Sequence, residues 1–365
     1  MNNSINAFPR RILIIRLSAI GDVVRTLPAL RALRSRFPSA YIAWVVEENT
    51  YNLLQDHPDL DRVFLFKRKK WIEDIVSVQN CLKPIQEVRA LIKAIREDRF
   101  DMVLDFHGIL KSGVISILSG APVRVGFSRN YCKEGNHLFS NRHIDVETAS
   151  LNRIERNLRF ISFLGVDPEN HDPLVPITNE DRNVIDTFLQ EKGLVGRTPL
   201  IAIHPGTSRK TLYKRWDPLS YARVADHLIE HYNANIIWTW GPGELETVRS
   251  AVAHMKCDST VACSVSLRQL AELFRRCDLF VGSDSGPMHI ASFVKTPVVV
   301  IYGPTDHLVN APYENNPHRV LRKDVSCNPC RKRDCARLSC MSAVTPEDVI
   351  EAVTQLLPSP RSGVL

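Results

Sequence analysis

Apolar runs of strand length alternate with segments whose apolar residues recur at helical spacing, and the alternation occurs twice along the chain. The first series opens with RILIIRL at 11–17, then Ser18-Ala19-Ile20-Gly21-Asp22, then VVRTLPALRALRSRF at helical spacing. Further strands are predicted at 41–46, 62–66, 101–106 and 124–127. Continuous apolar strands separated by helices are the pattern of a parallel sheet covered on both faces. Residues 166–178, VDPENHDPLVPIT, hold three prolines and no periodic signal, which marks a linker. A second series follows, with strands predicted at 200–204, 236–240, 279–281 and 298–302 and helices near 218–231, 244–254 and 267–276. Two Rossmann-like halves imply a cleft between them. A last helix at 346–357 precedes a tail, SPSPRSGVL, whose composition suits a flexible segment.

Composition narrows the function classes. At 365 residues the chain is too long for one typical core. Lys+Arg 47 against Asp+Glu 40 is a mild basic excess that suits anionic partners without demanding nucleic acid. No stretch of about 18 apolar residues is present for a membrane span, and the N-terminus lacks a signal-peptide core, so a cytoplasmic location is expected. There is no G-x-G-x-x-G after the first strand and no G-x4-G-K-[ST], which disfavours dinucleotide oxidoreductases and P-loop enzymes. His227, Glu230 and His231 spell an inverted zinc-protease pattern, but they fall on the polar face of an amphipathic helix.

Three strand ends carry chemistry. In DLFVGSDSGPMHIA (278–291) a strand meets a Gly- and Ser-rich turn and a helix start; Ser283 or Asp284 can cap that helix, and its first N–H groups suit a phosphate. IHPGTSRKTLYKRW, from Ile203, is a second anion-suited loop with Arg209, Lys210, Lys214 and Arg215. WTWGPGELE puts Glu244 at a glycine turn, where it could accept ribose hydroxyls or simply favour the helix dipole. Two phosphate-suited loops in one half favour a diphosphate ligand. In the first half, Asp22 stands where a helix N-cap belongs. The basic run Lys67-Arg68-Lys69-Lys70 with Trp71 suits an anionic membrane or a solvated loop. Among nine cysteines, Cys327, Cys330, Cys335 and Cys340 form C-x2-C-x4-C-x4-C, which allows a structural zinc site, although its last two spacings match no standard zinc signature and leave paired or free thiols as the other reading.

Taken together, RLSAIGDVVRTLPALRAL, DFHGILKS, RVGFSRNY, HPGTSRKTLYKRW, WGPGELE, VGSDSGPMHIA and VIYGPTDH resemble, in order, the ADP-heptose:lipopolysaccharide heptosyltransferases, the GT9-type glycosyltransferases. The resemblance spans nearly the whole chain. It implies a GT-B fold, α/β with two Rossmann-like domains and an interdomain cleft: an acceptor-binding domain at 1–175, a nucleotide-sugar domain at 176–345, and a C-terminal helix and flexible tail at 346–365. It also implies inverting transfer of heptose from ADP-heptose to a lipopolysaccharide inner-core acceptor, without a catalytic metal or other required cofactor, at the inner face of the cytoplasmic membrane. Carried over, Asp22 resembles the general base, with Gly21 and Lys111 on the acceptor side. Lys214 resembles the cation on the leaving diphosphate, with Thr207 and Ser208 donating to the same phosphates. Glu244 is similar in placement to a ribose-binding carboxylate, although the register of GPGELE leaves Glu246 open. Asp284 would bind heptose hydroxyls, and Ser285, Gly286, Pro287, Met288 and His289 would surround the pyrophosphate, Pro287 without an N–H to give. Rival readings are a same-fold enzyme using another nucleotide sugar for a different surface glycan, and a non-catalytic nucleotide-sugar binding protein.

Overall fold

The structure is a computed structural model that describes residues 9–76, 82–146, 151–166, 172–330 and 332–357. The chain divides into two compact units, Met1–Pro176 and Ile177–Leu365. Of the linker segment, residues 167–171 lie outside the described residues, as does the tail beyond 357.

In the N-terminal unit the strands are β1 (Arg11–Ile15), β2 (Tyr41–Glu47), β3 (Arg62–Phe66), β4 (Met102–Asp105), β5 (Val123–Phe127) and β6 (Arg142–Ile144). The helices are α1 (Ile20–Val24), α2 (Leu27–Arg36), α3 (Glu48–Leu54), α4 (Arg68–Val76), α5 (Lys83–Glu97), α6 (Leu110–Leu118) and α7 (Arg153–Ile161). Every pairing in the sheet is parallel, in the order β3-β2-β1-β4-β5-β6. Ile12, Leu13, Ile14 and Ile15 are all fully buried, as a central strand covered on both faces must be.

The C-terminal unit repeats the plan. Its strands are β7 (Leu200–His204), β8 (Asn235–Trp238), β9 (Thr260–Val261), β10 (Leu279–Ser283), β11 (Val298–Ile301) and β12 (His318–Leu321). Its helices are α8 (Asn179–Glu191), α9 (Pro218–Tyr232), α10 (Leu245–Val252), α11 (Leu267–Arg275), α12 (Gly286–Phe293), α13 (Ser339–Ser342) and α14 (Pro346–Leu356). The parallel order is β12-β11-β10-β7-β8-β9. In both units the first strand lies between the second and the fourth, so the order reverses between β1 and β4 and again between β7 and β10. Loops at the carboxyl ends of those strand pairs are where doubly wound sheets bind ligands.

Helix starts follow local chemistry. Asp217 caps α9 through the Ser220 N–H with Pro218 at the first helical position, and Thr178 with Asp181 forms a capping box on α8. The α14 helix is part of the C-terminal unit's core rather than a separate segment, because Val349 and Val353 are fully buried in the same cluster as Trp216 and Val281. Trp216 also donates to Val344 O at 2.9 Å.

The basic run differs from the loop expected of it. Arg68, Lys69 and Lys70 begin α4, and Trp71 is buried edge-on to Phe66, with its indole N–H on Glu87 at 2.8 Å. Glu87 also pairs with Lys67 and Lys70, so part of the charge is satisfied locally. No described helix is long and apolar enough to cross a membrane.

Candidate functional site

At the N-terminal switch point β1 runs into Arg16-Leu17-Ser18-Ala19 and then α1. Asp22 is inside that helix rather than at its cap. Ala19 holds the cap position, and the Asp22 N–H donates to Ala19 O at 3.0 Å. The carboxylate is thereby free to turn toward arginines: Arg16 Nη2 lies 2.6 Å from Oδ2, and Arg25 Nη2 and Arg153 Nη1 each lie 2.6 Å from Oδ1. Burial alone would raise this carboxyl's pKa, but the three guanidiniums outweigh it and hold it well below the usual carboxylate range.

β4 ends on Asp105, fully buried, which accepts hydrogen bonds from the His107 N–H (2.9 Å), Ser112 Oγ (2.8 Å) and Asn136 Nδ2 (2.8 Å). Burial pushes its pKa up against these bonds, and its work is to shape the loop that presents His107. Burial first, then the charges of Arg16 and Lys111, press the His107 pKa down to about 3. Its Nδ1 accepts the Leu17 N–H at 3.1 Å, so the neutral ring carries its proton on Nε2. Lys111 is ion-paired with Glu47 at the end of β2. Gly21 is buried, and its carbonyl accepts Arg25 Nε at 3.1 Å.

The C-terminal switch point brings the second set together. His204 ends β7 and pairs in register with Gly282 of β10. Glu244, 8% exposed, accepts the Gly241 N–H at 2.8 Å and lies 3.2 Å from His204 Nε2. Burial opposes its ionisation, but the hydrogen bond and charge of His204, the Gly241 N–H and the charge of Arg215 lower its pKa overall. Glu246, the alternative in that register, is 86% exposed beside Arg249. Arg215 ties the loop together through Thr207 O (2.5 Å) and Thr247 Oγ1 (3.0 Å). A Cβ at Gly206 would collide with the Glu244 carboxylate, so this position needs glycine.

The phosphate-suited loops are arranged differently from expectation. Ser283 finishes β10 and shares a hydrogen bond with the Tyr221 hydroxyl at 3.1 Å; the cap position of α12 falls to Ser285, with no side-chain cap bond. Neither Ser283 nor Asp284 caps that helix. Asp284 instead receives Lys214 Nζ at 2.7 Å and Thr305 Oγ1 at 2.8 Å, with His289 Nε2 at 3.9 Å. Thr207 Oγ1 donates to Thr211 O and Ser208 Oγ shares a bond with Thr211 Oγ1, both at 2.9 Å, so both hydroxyls are engaged within their own loop. Met288 and His289 are buried side chains, which leaves the first-turn N–H groups of α12, Pro287 excepted, as its donors. A cavity of about 420 Å³ in this unit is lined by Leu200 and Asp278, at the opposite, amino ends of β7 and β10.

The four clustered cysteines differ among themselves: Cys327 is exposed and Cys340 buried. The Leu338 and Arg337 N–H groups on Cys335 lower its thiol pKa, whereas burial raises that of Cys340. Among the described residues no group of three or more His, Cys, Asp or Glu side chains is arranged to hold a metal ion, and that includes His227, Glu230 and His231 on α9.

Residues 88–340 match the model of glycosyltransferase family 9 (heptosyltransferase). The chain belongs to that family. As a family 9 glycosyltransferase it is 28% identical over 311 residues to the lipopolysaccharide core heptosyltransferase OpsX of Haemophilus influenzae, covering 84% of this chain and 83% of the relative. Its structure is similar to that of a family 9 glycosyl transferase from Veillonella parvula, with a TM-score of 0.78 at 25% identity over 95% of this chain and 97% of that one. It is also similar in fold to the E. coli heptosyltransferase WaaC solved with ADP-2-deoxy-2-fluoro heptose, with a TM-score of 0.70 at 24% identity over 95% of this chain and 100% of that one. The GT-B fold expected from the sequence is the fold of this family 9 chain.

The three arginines around Asp22 were invisible as a group. Arg16 stands in the first strand motif, but Arg153 lies 131 residues beyond Asp22, and no spacing rule joins them. Thr305 was likewise missed; its motif, VIYGPTDH, follows β11, and only the sheet brings it to Asp284.

Proposed function

We propose that this enzyme transfers heptose from ADP-heptose to an inner-core lipopolysaccharide acceptor, with inversion at the anomeric carbon and Asp22 as general base. The observation that carries the reading is a carboxylate held by three guanidiniums at the N-terminal switch point of a family 9 chain. In the proposed reaction an acceptor hydroxyl oxygen attacks the anomeric carbon while the bond to the diphosphate oxygen breaks. The hydroxyl proton goes to Asp22 and the electron pair to the departing ADP. Lys214 and the first-turn N–H groups of α12 meet the charge that develops there. Glu244 holds the ribose hydroxyls, and Asp284 the heptose hydroxyls. The relatives support the donor and acceptor: one is named a lipopolysaccharide core heptosyltransferase, and the WaaC structure holds an ADP-heptose analogue. The mechanism as written asks nothing of a metal ion.

We assign the reaction to the inner face of the cytoplasmic membrane, with the acceptor lipid anchored there. Exposed Arg68 and Lys69 on α4, together with Ile72 at 50% and Val76 at 80% exposure, support contact with an anionic surface. The test is incubation with ADP-heptose and a heptose-deficient core lipid. Transfer with release of ADP is expected, and the absence of both refutes the assignment. A thermal-shift screen of nucleotide diphosphate sugars separates ADP-heptose from other donors, and a chain that binds donor without transfer or hydrolysis would be a binding protein.

A further inference from the structure

Asp22 is surrounded by more cation than it can neutralise. Arg16 reaches it from the loop after β1, Arg25 from the end of α1 and Arg153 from α7. Arg16 and Arg25 are both only 5% exposed. One turn beyond Arg153, Arg156 lies with its guanidinium 4.7 Å from the centre of the Phe127 ring. Its Nε, like those of Arg16 and Arg153, finds no hydrogen-bond acceptor among the described residues. Three guanidiniums thus pair with one carboxylate, and a fourth, that of Arg156, feels the charge of Asp22 without pairing to it. Of the other titratable groups nearby, His107, after β4, is neutral, Lys111, on α6, is matched by Glu47, and Asp105, at the end of β4, is engaged by the His107 N–H, Ser112 and Asn136. Burial, with the charges of Arg153, Arg16 and Arg25, brings the Arg156 pKa down to about 10, as befits a cation in a region short of anions. Half-buried guanidiniums such as those of Arg153 and Arg156, each with a buried and unused Nε–H, are costly unless an anion completes them, and planar forks suit a carboxylate or a phosphate.

We propose that Arg153 and Arg156 of α7, with Arg16, form a receptor for an anionic group of the acceptor, a carboxylate or a phosphate, and that Asp22 occupies it when no acceptor is bound. The incoming anion takes guanidinium hydrogen bonds from Asp22. The carboxylate then loses the neighbours that keep it from accepting a proton, and becomes an effective base only when the acceptor is in place. A base held permanently by three arginines would be ionised but weak; a base released by its own substrate is both protected and timed. This rests on Asp22 being the general base, whereas the anion receptor is testable without turnover.

With ADP at saturation, so that any phosphate site in the C-terminal unit is filled, inorganic phosphate and glucuronate are titrated separately into the parent protein, Arg156→Gln and Arg156→Lys while melting temperature is followed. The expected result is stabilisation of the parent by at least one anion, loss of it in Arg156→Gln and partial retention in Arg156→Lys. Phosphate alone or glucuronate alone identifies the acceptor group. No stabilisation of the parent by either anion, or equal stabilisation of Arg156→Gln, overturns the proposal. In turnover, Arg156→Gln raises the acceptor KM about tenfold to a hundredfold, the range for a lost charge-assisted hydrogen bond, and leaves the donor KM unchanged. The acid limb of kcat, which reports the complex, lies at higher pH than that of kcat/KM for the acceptor, which reports the free enzyme; coincident limbs contradict release of Asp22. Anion binding without heptosyl transfer removes the proposed function and keeps the receptor. Heptosyl transfer with an Arg156→Gln variant indistinguishable from the parent does the reverse.

Discussion

Lys214 has two candidate jobs, and its partner separates them. Its Nζ is 2.7 Å from Asp284 Oδ2, and the two side chains are only 17% and 6% exposed. Removing one partner of a buried pair costs about 3–5 kcal/mol, because the other charge stays desolvated. Lys214→Ala is placed at the lower end, about 3 kcal/mol, because Asp284 keeps the Thr305 hydroxyl at 2.8 Å. Asp284→Asn should cost less, about 1 kcal/mol, since the amide can keep a bond to Thr305 and the flexible lysine can swing to water. The double variant should therefore be more stable than Lys214→Ala alone, with a coupling of about 2 kcal/mol, inside the range for residues in contact. At about 2–4 °C per kcal/mol for a unit of this size, Lys214→Ala melts about 6–12 °C below the parent. Melts and urea titrations of the four proteins give the cycle, and calorimetry with ADP is then run on the double variant. ADP affinity that stays weak after stability has returned assigns the lysine to the diphosphate. Affinity that returns with stability makes its role architectural. A Lys214→Ala protein as stable as the parent, or a double variant no better than the single, refutes the reasoning about the buried pair.

Four further outcomes are expected. Asp22→Asn keeps parental ADP affinity by calorimetry while turnover falls about 10²–10⁴-fold, the usual contribution of a general base; equal turnover removes Asp22 from the mechanism. His107 titrates near 6.5 in the unfolded chain but is held down to about 3 in the fold, so between those values the unfolded state binds the extra proton. Stability therefore falls as pH drops through that window, by at most about 1.4 kcal/mol per unit, and His107→Asn should flatten the slope in urea titrations from pH 6.5 to pH 4. Gly206→Ala forces the Glu244 carboxylate aside, which should cost about 1–3 kcal/mol of stability in denaturant titrations and weaken ADP binding; parental values for both would show that the turn can yield. At pH 7.5, Cys335 should be alkylated by iodoacetamide faster than Cys340, since backbone N–H groups favour its thiolate while Cys340 is buried; mass-spectrometric mapping reads the order.

The central strands were legible because burial on both faces demands a continuous apolar run, and RILII at β1 and LIAIH at β7 carry that demand in their own composition. Three of the four edge strands, β6, β9 and β12, were not, since an edge needs no such run: all three residues of β6 are at least partly exposed, and β9 has two residues, whereas the fourth edge, β3, carries RVFLF. Local chemistry also spoke for itself at Asp217-Pro218 and at the glycine turn before Glu244, where capping and close approach act within a few residues. What remained hidden was every interaction that depends on chain segments meeting after folding. Asp22 reads as a helix cap because capping is a short-range rule, yet the fold gives the cap position to Ala19 and delivers Arg153 from 131 residues away. Asp284 reads as a cap or a sugar ligand, and the parallel register of β7, β10 and β11 supplies it with Lys214 and Thr305. Sequence alone thus determined where the central strands lie and which residue types stand near their ends. Tertiary structure decided which charges face one another, because Coulombic pairing follows distance in space and is indifferent to separation along the chain.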